Sequence, residues 1–292
     1  MLSENKSLKT AVVIFSRNAA TDNDWKAVLQ AYAMQNFPVQ LKLLVDSESD
    51  DSTLNIAKEF NWEILSIKAD SFNHGLTRQM AVEKLRKDNF DTAVFATQDT
   101  IPANPDTLRL LAESLEKQGA AAAYARQMPV TGTGMDAFFR QRNYPEKSRL
   151  KSIHDSKELG LMTPFCSNSL AAWNLKFIEQ AGGFVKTSFG EDILMAAKLL
   201  QQGEKIFYCA ESKCFHEHKN SIYQVFKRGV DIGTMHRNFP ELKKNFGSIE
   251  SFAERIPTKA IIRYIIPLAI KYTGSLLGRF CFFLGSVPDM GR

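Results

Sequence analysis

Cysteine is scarce: Cys166, Cys209, Cys214 and Cys281 are the only four in 292 residues, and no two form a C-x-x-C pair. A disulfide framework is therefore excluded for a chain of this size, and the thiols read as reduced, in a cytosolic setting. Only the short apolar run Ala11 to Phe15 precedes the first arginine, less than a secretory signal needs, so export is not expected. The chain also lacks internal repeats, low-complexity stretches and any Gly/Ser linker. Charge of one sign is missing too. With 37 Lys and Arg against 32 Asp and Glu the net charge is +5, which suits phosphates or an acidic membrane surface and gives no case for nucleic acid. What remains is an ordinary globular composition, 44% hydrophobic and 24% charged, long enough to bury a substantial core.

Hydrophobic patterning supplies the fold class. Ala11-Val-Val-Ile-Phe-Ser16 is a continuous, largely β-branched run, as expected of a strand buried on both faces of a parallel sheet. Residues 24–36 then place Trp25, Val28, Leu29, Tyr32 and Ala33 at helical spacing before Pro38. Strands at 41–45, 62–67 and 92–97 alternate with helices at 52–60 and 77–87, which predicts an α/β fold with a mostly parallel sheet flanked by helices. Ligands of such sheets bind beyond the carboxyl ends of the strands, where the loops at Ser16, Asp46 and Asp99 fall. Beyond residue 100 only 121–125 and 206–209 read clearly as strands, and this half is expected to build the acceptor side.

The polar segments at those ends carry the candidate chemistry. Val45-Asp46-Ser-Glu-Ser-Asp-Asp51 is an acidic turn leading into a helix; it reads either as a capping cluster or as a site where Asp46 accepts hydrogen bonds from a base or ribose. Phe72-Asn-His-Gly-Leu-Thr-Arg78 puts a glycine turn and a basic helix start before a strand that ends in Thr97-Gln98-Asp99. His74 and Arg78 can meet phosphate oxygens at the positive end of the helix. Asp99 can hold a divalent cation, because Mg²⁺ takes one or two carboxylates and fills its shell with diphosphate oxygens and water. Ser16-Arg-Asn-Ala-Ala offers no glycine-rich phosphate loop after the first strand, which argues against a sugar-nucleotide pyrophosphorylase.

Taken in order, these segments resemble the GT-A domain of family 2 glycosyltransferases, and particularly its rhamnosyltransferase branch. The resemblance continues through Arg126-Gln-Met-Pro129, Asn143-Tyr-Pro145, Phe165-Cys-Ser-Asn168, Gly182-Gly-Phe184, Gly190-Glu-Asp192 and His216-Glu-His218, covering roughly residues 10 to 235. It implies an inverting transfer of a sugar from a nucleotide-diphosphate sugar, with Mg²⁺ or Mn²⁺ as cofactor. Asp192 would be the catalytic base with Glu191 beside it, Asp99 the metal position with help from His218, and Ser16, Asp46, His74, Arg78, Gln98 and Arg228 the nucleotide-sugar contacts. The chain departs from the family's DxD-like motif by reading Thr97-Gln98-Asp99, so a second metal-binding carboxylate is missing, a departure that itself resembles the rhamnosyl branch.

Chemically, burial beside Glu191 would raise the proton affinity of Asp192 and suit it to deprotonate an acceptor hydroxyl; an acid at a helix start favoured by the helix dipole is the competing account. His216 and His218 can bind a metal or phosphate, or serve structurally. The resemblance implies dTDP-L-rhamnose as donor and a saccharide or lipid-linked saccharide of a bacterial surface polysaccharide as acceptor, with a UDP- or GDP-sugar transferase or a non-catalytic nucleotide-sugar binder as alternatives. Residues 1–240 are expected to form the GT-A domain. In the segment 241–292, Ile256 to Gly285 is aliphatic and aromatic but interrupted by Lys259, Arg263, Lys271 and Arg279, too broken to span a bilayer. It is expected to lie in a membrane interface, at the cytoplasmic face of the inner membrane, or else to pack on the core or a partner chain.

Overall fold

The computed structural model describes residues 8–130, 134–216, 222–247, 269–270, 272–277 and 279. The first hundred residues run β1 (Thr10–Ser16), α1 (Ala19–Asp22), α2 (Trp25–Ala33), β2 (Leu41–Ser47), α3 (Thr53–Glu59), β3 (Glu63–Ile67), α4 (His74–Lys87) and β4 (Thr92–Thr97). The expected alternation is observed. Helix α4 begins three residues before the expected start because the side chain of Asn73 accepts the backbone N–H of Leu76 at 3.1 Å and caps an additional turn.

After β4 come β5 (Ile101–Pro102), α5 (Thr107–Gln118), β6 (Ala122–Met128), α6 (Gly134–Asn143), β7 (Arg149–Lys151), α7 (Ser156–Leu159), β8 (Leu170–Asn174), α8 (Leu175–Gln180), α9 (Glu191–Gln201), β9 (Ile206–Phe215), α10 (Ile222–Asn238) and α11 (Glu241–Phe246). The nine strands among the described residues join one sheet in the order β3-β2-β1-β4-β8-β6-β9-β5, with β7 paired to β9. Strands β1, β2, β3, β4, β6 and β9 point one way; β8 is inserted antiparallel between β4 and β6, so its first residues meet the carboxyl end of β4.

Period-two alternation along β1 divides the core between the sheet's faces. Ala11, Val13 and Phe15 join a cluster with α4, α8, α9 and α11, whereas Val12 and Ile14 join one with α2 and α5. Leu242 and Phe246 of α11 are buried in the first cluster, so core packing continues past residue 240. In the tail, residues 272–277 are helical and lie against α10 so closely that a Cβ on Gly233 would sit 2.0 Å from the Ser275 carbonyl oxygen. Of the stretch from Ile256 to Gly285, only residues 269–270, 272–277 and 279 are among the described ones. Among the described residues no helix is long and apolar enough to cross a membrane. Cys166, Cys209 and Cys214 are buried free thiols, as expected; Cys281 lies outside the described residues.

Candidate active site

Parallel pairing sets Ser16 beside Asp46 and Phe15 beside Thr97, so the polar ends of β1, β2 and β4 converge. Asp46 is fully buried. Its Oδ1 accepts the hydroxyls of Ser16 at 3.0 Å and Ser49 at 2.5 Å, and its Oδ2 accepts the Ser49 backbone N–H at 2.9 Å. The carboxylate thus braces the turn between β2 and α3 from within; it does not cap α3, which starts at Thr53. Gln98, half-buried, ties β4 to β1 by accepting the backbone N–H of Arg17 at 2.8 Å.

At the N-termini of α4 and α9 the chain builds a buried polar knot. Gly190 enters α9 in the left-handed region at φ 74°, and a side chain there would also collide with Met235. Glu191 and Asp192 follow as the first two helical residues. Arg78 approaches from α4, its Nε 2.9 Å from Glu191 Oε1, with the two side chains only 3% and 6% exposed. The contact is an ion pair by distance; the Nε–H is not aligned for a hydrogen bond. Arg78 Nη1 donates to the His74 carbonyl at 3.0 Å, and its guanidinium lies 4.5 Å from the centre of the Phe15 ring. His74 is half-buried, its ring edge-on to Phe72.

Asn168, from the segment entering β8, bonds to both acids. Its Nδ2 donates to Glu191 Oε1 at 3.0 Å and its backbone N–H to Asp192 Oδ2 at 3.0 Å, while Asp192 Oδ1 accepts the Ile193 N–H at 2.8 Å. These environments drive the two carboxyls apart. Burial opposes ionisation of Glu191, but Arg78, then His74 and the Asn168 amide, outweigh it and hold the group below its usual range. Burial, then the neighbouring charge of Glu191, pushes Asp192 up to about 7 against the opposing N–H bonds and Arg78. Asp192 nonetheless keeps part of its surface accessible. An accessible carboxylate of that proton affinity is a competent base for a hydroxyl at neutral pH.

Asp99 lies just beyond β4, 17% exposed, with His216 Nε2 3.2 Å from its Oδ2. His216 Nδ1 is 3.0 Å from Gln127 Oε1, Gln127 Nε2 donates to Ser167 Oγ at 2.8 Å, and Ser167 precedes Asn168. Asp99 and Asp192 therefore belong to one connected polar network across the β4–β8–β6 junction. Among the described residues no three His, Cys, Asp or Glu side chains gather as a metal-holding group. One carboxylate with one imidazole fits only a cation that draws its other ligands from diphosphate and water.

Of the remaining expected residues, Arg228 is exposed on α10 and forms no part of this knot, and His218 lies outside the described residues. Asn168 and His216 were legible only as members of motifs. Trp173, whose Nε1–H donates to Asn168 Oδ1 at 2.8 Å, gave no signal in the sequence, where β8 itself was not legible.

The family model Glycosyltransferase like family 2 matches residues 9–230. The chain belongs to this family and is a glycosyltransferase of the GT-A fold. It is 34% identical over 282 residues to the O-antigen chain rhamnosyltransferase WbaN of Salmonella anatum, covering 96% of this chain and 88% of that protein. In fold it is similar to the mannosyltransferase PcManGT from Pyrobaculum calidifontis in complex with GDP-Man and Mn²⁺, with TM-score 0.60 at 16% identity, covering 92% of this chain and 73% of that one. S. aureus TarS 1–349 in complex with UDP-GlcNAc gives TM-score 0.59 at 15% identity, with 92% and 82% covered.

Proposed function

We propose that this enzyme is an inverting rhamnosyltransferase that moves L-rhamnose from dTDP-L-rhamnose onto a saccharide, free or lipid-linked, of a bacterial surface polysaccharide. The observation that carries the mechanism is the division of the adjacent acids, with Glu191 held ionised by Arg78 and Asp192 left with a proton affinity near neutrality. Support for the sugar and acceptor comes from the O-antigen chain rhamnosyltransferase that is 34% identical over nearly the whole chain.

In the proposed step Asp192 takes the proton of the acceptor hydroxyl as that oxygen attacks the anomeric carbon, the bond to the diphosphate breaks, and the configuration inverts. Ser16, Asp46 and Gln98 shape the nucleotide end of the cleft; His74 is assigned to the diphosphate from the start of α4, with Arg78 behind it paired to Glu191, and Arg228 is assigned to the same anion from α10. Asp99, with His216 beside it and His218 following, would hold Mg²⁺ or Mn²⁺, which when bound would offset charge on the leaving diphosphate.

We place the enzyme in the cytoplasm, peripheral on the inner membrane, with the catalytic domain running through α11, whose Leu242 and Phe246 are buried in its core, and the residues beyond α11 as membrane-associating segment. The mixed aliphatic, aromatic and basic composition of residues 256–285 supports this, as do the exposed Leu276 and Leu277 on the helix that lies against α10. Co-sedimentation with anionic vesicles, lost when the tail is removed, tests the tail.

The reaction is tested by offering dTDP-L-rhamnose, UDP-sugars and GDP-sugars with lipid-linked acceptors and weighing the products by mass spectrometry. A deoxyhexose added only from dTDP-L-rhamnose is expected. Transfer from a UDP- or GDP-sugar instead would replace the donor, and binding without transfer from any donor would turn the chain into a nucleotide-sugar-binding assembly protein.

A further inference from the structure

An asparagine amide carries an acceptor and a donor of nearly equal size, so its orientation is decided by neighbours that only give or only take a proton. The indole of Trp173 can only give, and its Nε1–H reaches Asn168 Oδ1 at 2.8 Å. With the oxygen committed, Nδ2 must face Glu191, to whose Oε1 it donates at 3.0 Å. A donor at that distance favours the ionised carboxylate. The same residue reaches Asp192 through its backbone N–H, which no side-chain rotation can withdraw. Trp173 is itself immobilised: fully buried in β8, opposite Ala93 of β4 and Ala122 of β6, with its ring 5.6 Å from that of Phe184.

We propose that Asn168, its amide oriented by Trp173, is the positioning residue that keeps the negative charge on Glu191 and so leaves the proton-accepting role to Asp192. This rests on the reading of Asp192 as the base and adds the device that separates it from its neighbour. The groups facing the two acids are Arg78 and His74 from α4 and the Cys166 thiol from the segment before β8, which burial keeps protonated. Arg78, in contact with Glu191, biases the charge towards that acid first. The Asn168 side chain adds to the same bias, because its amide donates to Glu191 and not to Asp192.

The Asp192 carboxyl can be titrated without substrate, by ¹³C NMR of the full chain labelled at aspartate Cγ and assigned from the signal that vanishes in Asp192→Asn. Asn168→Leu keeps the backbone N–H to Asp192 and removes the Nδ2 donor without adding a charge, so Glu191 takes up a proton more readily and its charge no longer raises Asp192. The Asp192 midpoint is expected to fall by one pH unit or more. Trp173→Phe keeps most of the ring volume and frees the amide to turn its oxygen to Glu191; a smaller fall is expected. Midpoints that stay at the wild-type value or rise in both variants overturn the proposal, whatever happens to melting temperature. If Asn168→Leu does not fold, the Trp173→Phe titration decides alone. Full transfer activity in Asp192→Asn would instead sink the base assignment, an outcome the titration does not depend on.

Discussion

Arg78 and Glu191 meet at 2.9 Å with almost no exposed surface, each opening the site from a different helix. A buried ion pair contributes little net stability, yet removing one partner leaves the other charged and unsolvated. Arg78→Gln is therefore expected to cost about 3–5 kcal/mol in urea denaturation. A loss below 1 kcal/mol would mean that the pair is open to water.

Asp192 should carry a stability cost in exchange for its reactivity. Its folded-state proton affinity lies near 7, against an ordinary value of 3.8, so the stability it contributes is complete below about pH 4 and is lost as pH rises through 7. Asp192→Asn should accordingly melt higher than wild type at pH 8, and the difference should vanish near pH 4. For the wild type, kcat/KM should fall as pH drops below about 7, where the base becomes protonated.

Close backbone contact joins the phosphate-side helix to the loop that leads into the acids of α9. A Cβ on Gly75 would sit 1.8 Å from the Val185 carbonyl oxygen, and the Gly75 N–H donates to the Thr187 carbonyl at 3.3 Å. Gly75→Ala must push the start of α4 away from that loop. A loss of about 1–3 kcal/mol is expected in urea denaturation, together with weaker nucleotide-sugar binding by calorimetry.

The cation assignment has its own check. Asp99→Ala should weaken nucleotide binding in the presence of Mn²⁺ by tenfold or more and leave metal-free binding nearly unchanged, as read by isothermal titration. Identical Mn²⁺ dependence in wild type and variant would remove Asp99 from that role.

Lys151 anchors the segment leading to Asn168. Its buried Nζ donates to Tyr124 Oη at 3.2 Å, to the Met162 carbonyl at 3.4 Å and, closely, to the Phe165 carbonyl at 2.5 Å. Lys151→Met strands these acceptors and should cost about 1–3 kcal/mol. Burial pushes Lys151 down to about 7 from an ordinary 10.5, so the unfolded chain binds the extra proton between those values. Wild-type stability should thus rise relative to Lys151→Met as pH increases from 7 towards 10, measured by chemical denaturation at each pH.

The parallel half of the fold was readable because strands such as Val12 to Phe15 are buried on both faces and announce themselves as unbroken apolar runs. Strand β8 was not, since Leu170-Ala-Ala-Trp-Asn174 is short and alanine-rich, and its place between β4 and β6 depends on pairing with residues far away in the chain. The acids were found by their motif and helix-start context. Their sorting was not, because the guanidinium of Arg78 and the amide of Asn168 reach Glu191 only through tertiary packing. The Asp99–His216 pair escaped for the same reason: spacing could not say which histidine of His216-Glu-His218 turns towards β4.

The most direct measurement is single-turnover transfer by Asp192→Asn, paired with nucleotide-sugar affinity by calorimetry. Removal of a general base predicts a rate lower by roughly a hundred- to ten-thousand-fold, with affinity within threefold of wild type. A transfer rate close to wild type, at unchanged affinity, would contradict the account.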